Sequence, residues 1–273
     1  MLPAVPDQEV HPVLKMTHYE IDGCRENLRA VFLSDFHNHS LQYGKNDLLK
    51  VIEELKPAFV LCGGDILTAK AGRVKTDHAK ELMNRLADTY PVYACMGNHE
   101  LRLRTNRSVY KDEWDEYQAE LDAAGVHSLD NRNESLTIGR QTFRIAGFTL
   151  PDEAYDRIGR KKPDSAEIAG VLGNEGEDGE YSILLAHHPD YLKIYSEAKA
   201  DLVLSGHVHG GMVRLPLLGG AIGATYIPFP KYDHGSFTEG GTRMIISAGL
   251  GSHTIPIRFN NPPELVVLDF RRS

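Results

Sequence analysis

Pro91-Val92-Tyr93-Ala94-Cys95-Met96-Gly97-Asn98-His99-Glu100 is an apolar run that stops at a glycine and hands over to three polar side chains. Pro91 to Met96 reads as a buried strand, and the Gly97 break puts Asn98 and His99 at the mouth of a sheet. Asn98 offers an amide oxygen to a metal, and His99 an imidazole that moves a proton near neutral pH. Alone, Gly-Asn-His-Glu is equally ordinary turn chemistry, because Gly and Asn are common where strands end. What stands at the ends of the other strands settles the matter.

Upstream, Leu28 to Leu33 is a compact apolar run ending in Ser34-Asp35-Phe36-His37, and Ala58 to Cys62 is another ending in Gly63-Gly64-Asp65. Between them Asn46 caps an expected helix through Leu55, whose Leu48, Leu49, Ile52 and Leu55 recur at helical spacing before Pro57. A second expected helix, Thr76 to Ala87, leads into Pro91. The stretch from Leu28 to Glu100 therefore reads strand, helix, strand, helix, strand, the pattern of parallel strands joined by crossover helices. Val13 to Ile21 reads as an edge strand within an N-terminal extension, residues 1–27.

Downstream, Val109 to Ala124 keeps helical spacing through Tyr110, Trp114, Tyr117 and Leu121, with Gly125 as its stop. The runs Val126 to Leu129, Leu136 to Ile138 and Thr142 to Phe148 read as hairpins. Pro151 to Glu180 reads as a polar surface excursion with one helix near Ser165 to Leu172. Ser182 to Ala186 then ends in His187, a helix follows over Asp190 to Ala198, and Leu202 to Ser205 ends in Gly206-His207-Val208-His209-Gly210-Gly211. Arg243 to Ala248 and Leu265 to Phe270 are two last strands, and one domain is expected over residues 1–273.

The 273 residues are 41% hydrophobic, enough to bury a substantial core. A formal charge of −8 argues against general nucleic-acid binding, which needs a broad basic face, and leaves a small anionic substrate open. Cys24, Cys62 and Cys95 are widely spaced and odd in number, so they read as buried thiols in a reducing compartment. No apolar stretch has signal-peptide or membrane-span length, which sets the expectation of a cytoplasmic protein with no transmembrane anchor. Oligomeric state is not legible.

Five apolar runs thus end in ligand-type residues: Asp35 with His37, Asp65, Asn98, His187, and His207 with His209. Side chains at the ends of several strands of one sheet converge on a crevice. In extended chain, residues two apart face one side with roughly 6 to 7 Å between them. That span suits two ions about 3.5 to 4 Å apart. Gly64, Gly97, Gly206 and Gly210 let backbone approach such ions closely. Each block has a plainer reading, a capped turn for Asp-x-His and a core histidine for His187, and it is their ordered company that points to metal.

The ordered blocks Asp35-x-His37, Gly64-Asp65, Gly97-Asn98-His99-Glu100, His187 and Gly206-His207-x-His209 resemble those of the calcineurin-like metallophosphoesterase superfamily. Gly-His-Val-His-Gly-Gly-Met-Val-Arg-Leu-Pro from Gly206, Phe229-Pro230-Lys231-Tyr232, Ser247-Ala248-Gly249-Leu250-Gly251 and Ile255-Pro256-Ile257-Arg258-Phe259 look like the bacterial YkuE-type phosphodiesterases, which usually start with a membrane anchor or export signal. The resemblance implies an α/β fold, a four-layer αββα sandwich with a dimetal site at the strand ends. It assigns Asp35, His37 and His209 to one ion, Asn98, His187 and His207 to the other, Asp65 as the bridge and His99 as the catalytic imidazole.

The implied reaction is hydrolysis of a phosphodiester or pyrophosphate by in-line attack of a metal-bound hydroxide. Oxygen and nitrogen ligands without thiolate fit two divalent ions, Mn²⁺, Fe²⁺ or Zn²⁺. Alternatives are a phosphomonoesterase or protein phosphatase, a UDP-lipid-sugar pyrophosphatase, a nuclease, and a protein-binding scaffold of the same fold. The intact His99 and histidine pairs argue against the scaffold, and the acidic balance against the nuclease. His39, His234 and His253 are candidate substrate contacts. His188 would point away from His187 in a strand, and Arg157, Arg160, Lys161 and Lys162 read as a solvated face.

Overall fold

The computed structural model describes residues 13–272 except 71, 157–158, 174–179, 212–213, 216–218, 221–228 and 253–257. Short apolar runs buried on both faces are what mainly parallel strands between layers require, and such runs supply most of the strands here. In chain order these are β1 (Lys15–Cys24), β2 (Leu28–Leu33), β3 (Phe59–Cys62), β4 (Val92–Ala94), β5 (His127–Ser128), β6 (Arg132–Ile138), β7 (Gln141–Gly147), β8 (Glu180–Leu185), β9 (Leu202–Ser205), β10 (Gly235–Glu239), β11 (Thr242–Ile246) and β12 (Glu264–Arg272). The helices are α1 (Leu48–Leu55), α2 (Asp77–Ala87), α3 (Asn98–Thr105), α4 (Glu113–Ala124), α5 (Ser165–Leu172) and α6 (Leu192–Glu197).

The strands form two six-stranded sheets, ordered β1-β12-β2-β3-β4-β5 and β6-β7-β8-β9-β11-β10. Strands β2 to β5 run parallel to one another, as do β7, β8, β9 and β11, while β12 is antiparallel to β2 and parallel to β1, and β6 and β10 pair antiparallel with β7 and β11. Side-chain alternation then sorts residues into layers. Ala30, Phe32, Phe59 and Leu61 meet Ile183, Leu185, Leu202 and Leu204 between the sheets. Val31, Leu33, Val60 and Cys62 turn outward to α1, α2 and α4. Leu184, Val203 and Ile246 turn the other way, to α5 and α6. Helices, sheet, sheet and helices make the four layers that the resemblance implied.

Several local readings are corrected. Asp47, not Asn46, caps α1, because its Oδ1 accepts from Leu49 N–H (3.0 Å) and Lys50 N–H (3.2 Å). The Val109–Ala124 helix is broken: a one-turn helix, Arg107–Tyr110, ends at Lys111, whose φ of 51° is left-handed, and α4 starts afresh. Val126–Leu129 is no hairpin arm, since β5 pairs parallel with β4 and extends the first sheet. The Pro151–Glu180 excursion is partly core, because Ala154, Ile168 and Leu172 are buried against the outer face of the second sheet. The three cysteines are free and buried, and Cys62 packs against Met83. Among the described residues no helix is long and apolar enough to cross a membrane.

Candidate metal centre

Adjacent strands β2, β3 and β4 end in Asp35, Asp65 and Asn98, and adjacent strands β8 and β9 end in His187 and His207 with His209. All seven ligand-type residues therefore stand along one rim of the sandwich. Asp35, His37 and His209 bring ligand atoms within 4.8 Å of one another, and so do Asp65, His187 and His207. The route differs from the expected extended geometry. Asp35, His37, Asp65, His207 and His209 are all left-handed, with φ between 49° and 68°. Tight turns, not strand alternation, aim each pair, and non-glycine residues adopt that conformation only where surroundings enforce it.

Those surroundings are hydrogen bonds across the strand ends. Asp35 Oδ2 accepts from Ser34 Oγ (2.6 Å), and its two oxygens share the His207 N–H (3.0 and 3.1 Å). His187 Nδ1 lies 2.6 Å from Gly63 O, so the ring donates there and presents Nε2 inward, 3.3 Å from Asp65 Oδ2 and 3.8 Å from Asp35 Oδ1. That Nε2 is buried and makes no hydrogen bond among the described residues. His37 Nε2 and His209 Nε2 approach to 3.1 Å, with the rings stacked. His209 Nε2 is 3.5 Å from Asp35 Oδ1, and Asn98 Oδ1 is 3.0 Å from His207 Nδ1.

Gly-Asn-His-Glu proves to be a helix N-terminus rather than a free turn: α3 begins at Asn98. Asp65 Oδ1 accepts the His99 N–H (2.8 Å), which leaves Oδ2 to face the imidazoles. Glu100, three residues after Gly97, reaches back to the Gly97 N–H (3.0 Å) as in a capping box. It also accepts from Asp65, Ile66 and Leu67 N–H at 2.8, 2.8 and 3.2 Å. Sequence reasoning quoted Glu100 but gave it no work, although its position three residues into a helix was the available signal. A β-carbon on Gly97 would overlap the Asp65 carboxylate, so close packing there demands glycine.

His99 is buried, and its Nδ1 accepts from Ala69 N–H (2.9 Å), which places the ring proton on Nε2. Its ring meets His37 edge-on at 4.8 Å, and the pair forms a third ligand-type group with Asp65. Burial lowers the His99 pKa, opposed by the Asp65 charge. Burial and the nearby Asp65 push Asp35 up to about 6, against the pull of His187. Against its own burial, His187 is raised to about 9 by Asp65 and Asp35. A rim negative enough to keep a proton on a buried imidazole is one that attracts cations, and its oxygen and nitrogen donors without thiolate fit divalent ions of the Mn²⁺, Fe²⁺ or Zn²⁺ kind.

The remaining sequence candidates lie elsewhere or are otherwise engaged. His39 stacks on Tyr43 and holds Ser40 O at 3.0 Å. His234 Nε2 faces both oxygens of Glu264, at 2.9 and 3.0 Å. His253 and Arg157 lie outside the described residues. His188 lies beyond the end of β8, where it caps a short turn at Pro189–Tyr191, and its ring comes within 4.4 Å of His207. Arg160 is no idle surface charge, because it pairs with Asp190. Tyr155, unremarked in the sequence, sets its ring edge-on to His207 at 5.1 Å.

Residues 28–211 match the model of the calcineurin-like phosphoesterase family. An uncharacterized metallophosphoesterase of Helicobacter pylori is 27% identical over 261 residues, 94% of this chain and 63% of the relative, so the chain spans less than two thirds of that protein. Phosphodiesterase YaeI of Escherichia coli is 25% identical over 248 residues, 88% of this chain and 81% of the relative. Among solved structures, the NAD nucleotidase of Haemophilus influenzae superposes with a TM-score of 0.52 over 82% of this chain and 45% of its own, at 15% identity, a likeness of fold.

Proposed function

Because the chain belongs to the calcineurin-like phosphoesterase family, we propose that it hydrolyses a phosphodiester or pyrophosphate bond in a small phosphorylated substrate, using two divalent cations. Asp35, His37 and His209 would hold one ion and Asn98, His187 and His207 the other, with Asp65 shared. The observation that carries this reading is the pair of ligand groups, Asp35-His37-His209 and Asp65-His187-His207, on one rim. When bound, such ions supply Lewis acidity at the phosphoryl oxygens and lower the pKa of water towards neutrality. The chain's own residues do the rest.

Glu100 and the His99 N–H orient Asp65, while Ser34 and the His207 N–H orient Asp35. His99, with Nδ1 taken by Ala69 N–H, offers its Nε2 proton to the leaving oxygen. Its lowered pKa favours a neutral ring that acts through a hydrogen bond. The phosphodiesterase name of the Escherichia coli relative supports diester over monoester chemistry. The position of β12 between β1 and β2, joining chain regions far apart in sequence, supports a single domain. Buried free thiols support a cytoplasmic setting, which cell fractionation checks.

The test compares bis(4-nitrophenyl) phosphate with 4-nitrophenyl phosphate on Mn²⁺-loaded protein, before and after chelation. The diester should be cleaved at least about tenfold faster, a difference of about 1.4 kcal/mol in barrier, and chelation should abolish the activity. A preference for the monoester would replace the diester reading, and full activity without metal would end it.

A further inference from the structure

Next to the proposed centre, past His207 and Val208, lies a cavity of about 480 Å³, within the usual size of small-molecule sites. Its walls are of two kinds. Tyr191, Phe229 and Tyr232 give aromatic surface, and Lys162, Lys193 and Lys231 give positive charge. Arg160 and Asp190 also line it and pair with each other, which leaves the three lysines as its net charge. Among the described residues no carboxylate lies within ion-pair distance of the three lysines, and Lys231 sits over the Tyr232 ring at 4.6 Å. In a chain of formal charge −8, such a wall reverses the local sign and attracts an anion.

Two further features mark the cavity as a binding surface. Phe229 is a large apolar side chain left 56% exposed, on a left-handed backbone with φ of 49°. A left-handed backbone is uncommon for a bulky non-glycine residue. His188 lines the same cavity and is 1% exposed. Its Nδ1 accepts from Asp190 N–H (3.3 Å), so Nε2 carries the proton, and among the described residues that Nε2 has no hydrogen-bond partner. A buried donor without an acceptor is costly unless something supplies one.

We propose that this cavity is the subsite for the non-reacting part of the substrate, and that this part carries a planar ring and a second anionic group, as a nucleoside phosphate does. The proposal rests on the phosphodiesterase reading above and extends it to a substrate class. The ring lies against Phe229 and the tyrosines, a ring acceptor meets His188 Nε2–H, and the second anion meets Lys193 and Lys231.

Four esters sharing one chromophore test this on metal-loaded protein: methyl, hexyl and thymidine-5′ 4-nitrophenyl phosphates, and the thymidine-5′ ester bearing a 3′-phosphate. The ring should raise kcat/KM about tenfold over methyl, and the 3′-phosphate about tenfold again, as expected for one stacking and one charge-assisted contact. Phe229→Ala should remove the first step and Lys193→Ala with Lys231→Ala the second. Lys50→Ala, on the exposed face of α1, should keep both. Equal kcat/KM across the series, a hexyl ester better than thymidine, or a 3′-phosphate advantage that survives loss of both lysines would overturn the subsite while diester cleavage stood. If no ester is cleaved, the phosphodiesterase reading falls separately, and calorimetry with thymidine and thymidine 3′,5′-bisphosphate decides the cavity. Tighter bisphosphate binding that the lysine substitutions weaken supports it, and equal binding refutes it.

Discussion

Glu100 gathers four backbone N–H groups from two strand ends, those of Gly97, Asp65, Ile66 and Leu67, onto one buried carboxylate. Burial and then Asp65 push its pKa up to about 7, so the donors are what make an ionised carboxylate tolerable there. Glu100→Gln keeps the shape but turns an amide donor towards N–H donors. It should lower unfolding free energy by about 3 kcal/mol, read as a lower urea midpoint, and an unchanged midpoint would show that the four N–H groups find other partners. His99 calls for a different measurement. His99→Asn should reduce kcat on a poor-leaving-group substrate by roughly 10²- to 10⁴-fold, with metal content kept and a smaller loss for a nitrophenyl ester. Equal losses on both substrates together with a missing ion would recast His99 as a ligand alongside His37 and Asp65.

The turns after β2, β3 and β9 carry most of the proposed ligands in left-handed conformation, and their packing leaves no spare volume. A β-carbon on Gly206 would overlap Ser34 Oγ and Asp35 Oδ2. Gly206→Ala should therefore displace Asp35 and weaken metal binding by at least about tenfold, in the range seen when a group supporting a ligand is disturbed. Equilibrium dialysis with Mn²⁺ measures this, and wild-type affinity would mean that the turn yields without moving the carboxylate. Helix α1 offers a cleaner test of local structure. Asp47→Ala should destabilise the protein by about 1 kcal/mol through loss of the cap, whereas Asn46→Ala should be close to neutral in the same thermal melts. The apolar spacing of α1 was legible, but the cap was misplaced by one residue. Both Asn46 and Asp47 are good caps, and only the backbone conformation selects between them.

Glu264 ties the two sheets together. Its fully buried carboxylate, at the start of β12, receives Thr17 Oγ1 of β1, the Ala248 N–H (2.9 Å) just after β11, and His234 just before β10. Although burial acts to raise its pKa, these partners hold it below the ordinary value of 4.5. A carboxyl with a lowered folded pKa stabilises fully above its unfolded value and loses that contribution as pH falls through the folded one. Stability should therefore decline on acidification below about pH 4.5. Glu264→Gln should be less stable at pH 7 and should show a shallower decline below pH 4.5 in denaturant titrations, and a parallel acid limb would remove Glu264 from the account. Strand runs and ligand types were readable in the chain because they depend on side-chain chemistry and on periods of two and 3.6, which are local. Asp35, His37, Asp65, Asn98, His187, His207 and His209 could thus be named before any fold was seen. The work of Glu100, the left-handed turns, the approach of His188 and Tyr155 to His207, and the basic aromatic cavity beside it could not. Each depends on distances between residues far apart in sequence, and those exist only once two sheets have packed and their strand ends share one rim.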